Sequence, residues 1–341
     1  MKIYKTGVIG LGMGAAWARA AKRLPNTKLE IVYDPAFGKN PRIDTKEYDG
    51  VRVAKSEAEL YDAGLDIIVV ATPDHFHAEQ CVRALKSGAH TVCEKPLTPT
   101  IAECKKIIAA VRKSGKSFMT GQVCRYAPAF MLAKRLVSEG RIGKLAFIES
   151  EYAHDYSKAP GWDNWRKDPK VKREGILGGG CHAMDLVRWL AGNPEEVFCY
   201  SNRELLASES WPTDDSAIMV AKFPEKVIGK IFVSVGVKRP YTMRTVICGT
   251  EGTIICDNTS DHMQIYEEKN IRETGCNFTK IPVNIASHNV DTELEEFVAC
   301  LEKGVNPPTD AYEGSNTVAF AEAAMKSARD GKAVRLEVLS A

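Results

Sequence analysis

The chain has 341 residues, long enough for two domains with substantial cores, and its 44% hydrophobic and 26% charged residues exclude a disordered or low-complexity protein. Lys and Arg total 46 against 44 Asp and Glu, and a net charge of +2 offers no basic field for nucleic acid or an anionic membrane.

The N-terminal MKIYKTGVIGLGMGAAWARAAKR turns from strand-like to glycine-rich to basic, unlike a secretory leader, and no run of 18 apolar residues follows. A cytoplasmic protein is expected. From residue 4 to 122 short β-branched runs alternate with helical stretches, the rhythm of a parallel sheet covered on both faces. YKTGVIG, LEIVYD, DIIVVAT, HTVCEK and SFMTGQ are its predicted strands, with DIIVVAT apolar enough to be buried on both sides. Thr100 and Glu103 form a capping box for a helix over 101–114, which Gly115 stops.

After Gln122 the pattern changes. A helix over about 128–139 leads to the strand LAFIESEYA, then to an aperiodic stretch, His154 to Gly180, of the kind that forms functional loops. Between Val197 and Glu268, alternating strands such as SAIMVAKF, VIGKIFVSVG, TVICG and TIICD predict a largely antiparallel sheet with one open face. Helices over about 291–303 and 315–329 close the chain. The fold class is therefore α/β. A doubly wound parallel dinucleotide-binding domain at 1–123 precedes an α/β domain at 124–341 with an open sheet. The ten cysteines, Cys276 among them, are scattered without metal or redox spacing, so reduced buried thiols and no metal site are expected.

Gly10-Leu-Gly12-Met13-Gly14-Ala15 follows the first strand and opens a helix in the G-x-G-x-x-G/A form. The first glycine permits the tight turn, the second admits a pyrophosphate close to the backbone, and the helix N-terminus presents unpaired N–H groups to it. Asp34, twenty residues beyond Gly14, ends the second strand where a carboxylate accepts ribose hydroxyls. This favours NAD, while Lys39 nearby leaves NADP possible. Ala71-Thr72-Pro73 with His75 and His77, and Glu94-Lys95-Pro96, follow two further strands. In doubly wound sheets such carboxyl ends form the ligand crevice. The two histidines belong nearer cofactor than chemistry, with helix capping the alternative for His77.

These stretches resemble the Gfo/Idh/MocA family of sugar and cyclitol dehydrogenases. The resemblance is carried by GVIGLGMGA, ATPDHFHAEQCVRALKSGAHTVCEKPLT, GQVCRYAPAF, GRIGK, NWRKDP, GGGCHAMDLVRWLAG, GTEGTI and AMKSARDGKAVRLE, in order along nearly the whole chain. It implies hydride transfer between nicotinamide and a secondary alcohol, with Lys95 in the place of the family's catalytic lysine and Glu94 helping to hold cofactor and lysine. The residues agree, since an alcohol becoming a ketone loses its hydroxyl proton as the hydride leaves, which is work for a positioned acid/base.

His182, Asp185 and Trp189 share one face of a helix beginning near Cys181. The resemblance places His182 at the reacting hydroxyl, but Gly178 stands where the family usually has an aspartate. Three alternatives remain: Lys95 and His182 suffice, an acid from the long loop such as Asp155 or Asp163 substitutes, or the substrate site has diverged. Arg125 and Tyr126 match a family R-F/Y position and orient nicotinamide or substrate, or else pack the linker. Trp165 and Arg166 match a W-R element near cofactor or substrate, or anchor the loop, and Tyr156 is a weaker substrate candidate. Three functions follow: an NAD-dependent dehydrogenase, an NAD-dependent glycoside-cleaving enzyme using transient oxidation, or a non-catalytic NAD-binding protein. Association as a homodimer or homotetramer through the open sheet is expected.

Overall fold

The first glycine turn is the hinge around which the parallel sheet is built. The computed structural model describes residues 2–159, 161–171, 173–275, 278–284, 286 and 288–340; Cys276 lies outside them. The other nine cysteines are free thiols.

Strands β1 (Tyr4–Ile9), β2 (Thr27–Tyr33), β3 (Arg52–Val53), β4 (Ile67–Val70), β5 (His90–Glu94) and β6 (Phe118–Gly121) form one parallel sheet in the order β3-β2-β1-β4-β5-β6. Its connecting helices are α1 (Gly14–Arg23), α2 (Glu57–Tyr61), α3 (His77–Lys86) and α4 (Ile101–Ser114). Every residue of β4 is fully buried, as its unbroken β-branched run requires between two helical layers. The chain direction reverses its lateral progress between β1 and β4, the position at which doubly wound sheets open a crevice. Ile9 pairs with Val70 and Val70 with Cys93, so the three carboxyl ends are level. The predicted capping box holds α4: Glu103 N–H donates to Thr100 Oγ1 at 3.3 Å, and Gly115 ends the helix at φ +64°.

The remaining elements are α5 (Pro128–Ser138), β7 (Leu145–Ala153), α6 (Gly175–Gly178), α7 (Cys181–Ala191), β8 (Glu196–Asn202), β9 (Ser216–Lys222), β10 (Ile228–Ser234), β11 (Thr242–Gly249), β12 (Gly252–Asp257), β13 (His262–Glu267), α8 (Glu268–Thr274), β14 (Thr279–Pro282), α9 (Val290–Lys303), α10 (Ala311–Asp330) and β15 (Val334–Arg335). Their nine strands run β14-β13-β12-β11-β7-β10-β9-β8-β15, antiparallel except for β7 beside β10. Helix α7 packs on β7 and β10. On β9, Ala217, Met219 and Ala221 are buried while Ile218 and Val220 are exposed, the strict alternation of a sheet covered on one face.

The chain divides into two compact units: residues 1–122, 290–315 and 339–341, and residues 123–289 and 316–338. The expected contiguous second domain at 124–341 therefore does not stay together. Helix α9 returns to the first unit because it packs on α1, where Arg23 holds Asp291 through a bidentate contact at 2.6 and 2.7 Å. Beyond it, the Thr120 N–H donates to the Thr309 carbonyl at 2.7 Å.

Candidate active site

In the first unit the glycine turn is built for close approach. Gly10 has φ +83°, and a Cβ there would stand 2.7 Å from the Ala71 carbonyl oxygen, so only glycine closes this turn without strain. At Gly12 a Cβ would meet nothing within 4 Å, which leaves open space over the backbone. Gly14 lets α1 lie against β1, its missing Cβ being 2.9 Å from Val8. Met13 precedes α1, and no side chain caps that helix start. Asp34 is half-buried; its two oxygens accept the Leu11 and Ala36 amides at 2.7 Å each, which ties the turn to the end of β2. Each carboxylate oxygen has a second lone pair for a ribose hydroxyl. The turn, the uncapped helix start and the acid fit a dinucleotide.

The two further strand ends are locked to each other. His77, expected at the cofactor or as a cap, is a buried strut: Nε2 lies 2.9 Å from the Thr72 carbonyl, and Nδ1 lies 3.0 and 3.2 Å from those of Pro96 and Leu97. Its polar atoms thus fix Ala71-Thr72-Pro73 against the segment after Lys95. His75 is half-buried against the Phe76 ring at 4.0 Å.

Lys95 follows β5 directly and is half-buried, and its peptide bond to Pro96 is cis. Glu94 is buried and held twice, by the Trp17 indole N–H at 2.8 Å and by the Lys95 backbone N–H at 3.1 Å. Trp17 was not singled out in the sequence. It is a fully buried residue of α1, one turn beyond Gly14, and it couples the cofactor helix to the strand end that bears Lys95. Trp17→Phe should leave Glu94 Oε1 buried without this donor and cost about 1–3 kcal/mol. A melting curve measures this, and an unchanged midpoint would contradict it.

In the second unit, His182 lies in the first turn of α7 and is 1% exposed. Its Nδ1 is 3.3 Å from Cys124 Sγ, and its ring contacts Tyr152 (6.0 Å, stacked) and His288 (5.2 Å, edge-on). Tyr152 OH is 2.9 Å from Tyr156 OH and 3.3 Å from His154 Nδ1. Burial, reinforced by Tyr156 and Tyr241, raises the Tyr152 hydroxyl well above its ordinary range, so it stays a hydrogen-bond donor at neutral pH. Tyr156, expected from the sequence, belongs to this cluster; Cys124, Tyr152, His154, Tyr241 and His288 were not anticipated. No spacing could have revealed them, because four separate stretches of chain supply them, around Cys124, Tyr152, Tyr241 and His288.

The three atoms nearest to where a Cβ at Gly178 would stand all belong to Arg173, not to either loop acid. Asp155 accepts from Ser157 and from Lys238 at 3.0 Å, and Asp163 is exposed with φ +57°. A Cβ at Gly178 would instead overlap the Arg173 guanidinium. A cation, absent from the sequence reading, thus stands where an acid was sought.

Arg125 and Tyr126 are both buried. Arg125 is committed within the unit, donating from Nε and Nη2 to Asp185 at 2.7 and 2.6 Å, which favours the packing alternative over a cofactor contact. Trp165 is half-buried, with the Arg166 guanidinium 5.0 Å from its ring; Arg166 also donates to the Ala159 carbonyl at 2.8 Å. These two contacts lie within the long loop itself. Among the described residues no group of His, Cys, Asp and Glu is placed to hold a metal ion, and no helix is long and apolar enough to cross a membrane.

Residues 4–122 match a family model described as the oxidoreductase family, NAD-binding Rossmann fold, and residues 130–255 match the GFO/IDH/MocA C-terminal domain. The chain is similar to the scyllo-inositol 2-dehydrogenase (NAD(+)) of Bacillus subtilis (strain 168), 26% identical over 342 residues that cover 96% of this chain and 95% of the relative. It is similar also to the 2,7-anhydro-N-acetylneuraminate hydratase of Escherichia coli (strain K12), 28% identical over 260 residues, 74% of this chain and 67% of the relative. Among solved structures, levoglucosan dehydrogenase in complex with NADH and levoglucosan shares the fold, with a TM-score of 0.87 at 22% identity over 99% of this chain and 100% of that one.

Proposed function

Because this chain belongs to the Gfo/Idh/MocA family of oxidoreductases, with an NAD-binding Rossmann domain, we propose that it oxidises a secondary hydroxyl of a sugar, glycoside or cyclitol, with Lys95 as the acid/base and His182 as a second polar group. The observation that carries this reading is the placement of Lys95 at the end of β5, level with the ends of β4 and β1. Two strand spacings of ~4.8 Å put its backbone about 10 Å from the glycine turn. NAD, when bound, supplies the hydride acceptor. The chain supplies the rest.

Gly10, Gly12 and Gly14 give the diphosphate access to backbone N–H groups, and Asp34 receives the ribose. Trp17 and Glu94 hold the strand end in place, and the Lys95 amine takes the hydroxyl proton as the carbonyl forms. The histidine and tyrosine cluster of the second unit supplies hydrogen bonds and flat apolar faces of the kind that recognise sugars. Exposed Tyr200, Ile218, Val220 and Ile228 provide an apolar surface for self-association.

Similarity to a scyllo-inositol dehydrogenase supports a cyclitol or sugar substrate. The test is NADH absorbance during incubation with NAD and a panel of inositols, anhydrosugars and aldoses. Growth of the NADH band with at least one is expected, and a flat trace with all of them would sink the reading. Similarity to a hydratase favours one second reading, transient oxidation with no net redox change. In that case substrate disappears while free NADH does not accumulate.

A further inference from the structure

A thiol meets the imidazole of His182. Cys124 Sγ lies 3.3 Å from Nδ1, and both residues are buried. No motif pointed to this pairing. The residue four places before His182 is Gly178, and the carboxylate one turn beyond, Asp185, accepts from Arg125, Arg188 and Thr317. The reaction as set out above makes no use of Cys124.

The contact is built into the fold. Cys124 and Arg125 are neighbours in the short 3-10 turn Val123–Tyr126, and they meet His182 and Asp185, which are one turn apart on α7. The Arg125–Asp185 pair, at 2.7 and 2.6 Å, therefore sets the register that brings sulfur to imidazole. Tyr152 stacks on the His182 ring, and Gly179 admits it, since a Cβ there would stand 2.3 Å from a Tyr152 ring carbon. His288 meets the same ring edge-on. Close packing on a face and an edge resists rotation of the imidazole and keeps Nδ1 at the thiol.

The direction of the hydrogen bond follows from the chemistry of its two ends. A thiolate–imidazolium pair would bury two charges, and a thiol ordinarily gives up its proton less readily than an imidazolium does, so the neutral pair is favoured. Of the two neutral arrangements, S–H to Nδ1 uses the imidazole lone pair, whereas N–H to sulfur relies on an atom that accepts weakly. A proton donated to Nδ1 leaves the ring's own hydrogen on Nε2. We propose that Cys124 is a positioning residue: by donating to Nδ1 it holds His182 as the Nε2–H tautomer, and Nε2 donates a hydrogen bond to the oxygen of the reacting carbon while Lys95 takes that oxygen's proton. This rests on the dehydrogenase reading above. The thiol acts only through the histidine.

The test reads the tautomer directly, by nitrogen NMR of the full chain carrying isotope-labelled histidine at neutral pH, with His182→Asn identifying the His182 signals. The parent is expected to show a protonated Nε2 and an unprotonated, hydrogen-bonded Nδ1. Cys124→Ala should shift the Nδ1 signal and let the other tautomer appear. It should also lower kcat roughly tenfold, less than the loss of the acid/base itself, at an unchanged KM. Cys124→Ser keeps a hydroxyl donor and should restore both the signals and the rate. Serine fills less space than cysteine, so that rescue would come from the donor and not from packing.

An Nδ1–H ring in the parent, or a spectrum that Cys124→Ala leaves unmoved, overturns the assignment. A spectrum that moves while kcat does not overturns the positioning role and leaves the contact structural. The redox reading stands or falls separately: absence of NADH formation with every substrate would count against oxidation, and the spectrum would still decide the tautomer.

Discussion

Lys95→Met is expected to lower kcat by roughly 10²- to 10⁴-fold, the usual worth of a general acid/base, while NAD binding changes by less than tenfold. Methionine keeps most of the length of the side chain and removes the amine, its charge together with its proton acceptor. The contact that holds Glu94 comes from the backbone N–H of residue 95, so it survives the substitution, as does the Trp17 contact. Lys95→Arg separates charge from basicity, because arginine keeps a cation in place but does not give up its proton. Both variants should be comparably inactive. Steady-state NADH formation measures kcat, and quenching of protein fluorescence measures NAD binding. If Lys95→Arg retained activity within tenfold, the lysine would act as a charge and not as a base.

What the sequence disclosed and what it withheld follow a physical division. Local signals carried far. The unbroken apolar run of β4 identified a strand buried on both faces, Gly10 to Gly14 announced a turn that no larger residue could make, and Thr100 with Glu103 placed the start of α4 to the residue. The last long helix begins at Ala311 rather than near 315, because Asp310 caps it by accepting from the Tyr312 and Glu313 amides at 2.9 and 3.0 Å.

Contacts between distant segments left no trace. Arg23 and Asp291 are 268 residues apart, yet their pairing helps return α9 to the first unit. Trp17 reads as an ordinary amphipathic helix residue until Glu94 is seen beneath it. Gly178 reads as a missing acid until the arginine that fills its space is known. A glycine shows that room is needed but not what uses the room.

Arg125→Met should destabilise the second unit by about 3 kcal/mol, the low end of the 3–5 kcal/mol range for breaking a buried ion pair. The side chains of Arg125 and Asp185 are 6% and 1% exposed, so loss of the arginine strands a carboxylate in the interior. Two donors soften the loss: Arg188 Nη1 lies 3.5 Å from Asp185 Oδ1, and the Thr317 hydroxyl lies 3.2 Å from the same atom. At about 2–4 °C per kcal/mol for a unit of this size, the melting midpoint should fall by roughly 6–12 °C.

Asp185→Leu should be worse, since it leaves Arg125 and Arg188 facing each other without their shared anion. Combining Arg125→Met with Asp185→Leu should recover part of that loss, giving a clear coupling energy in the cycle. Activity should fall with stability for a geometric reason. Asp185 is one turn beyond His182 on α7, and Cys124, next to Arg125, touches the histidine ring. The pair therefore clamps both supports of His182. Arg125→Met is expected to depress kcat more than KM at temperatures where the variant remains folded. A variant that melted within 2 °C of the parent would show that Arg188 and Thr317 satisfy the carboxylate by themselves.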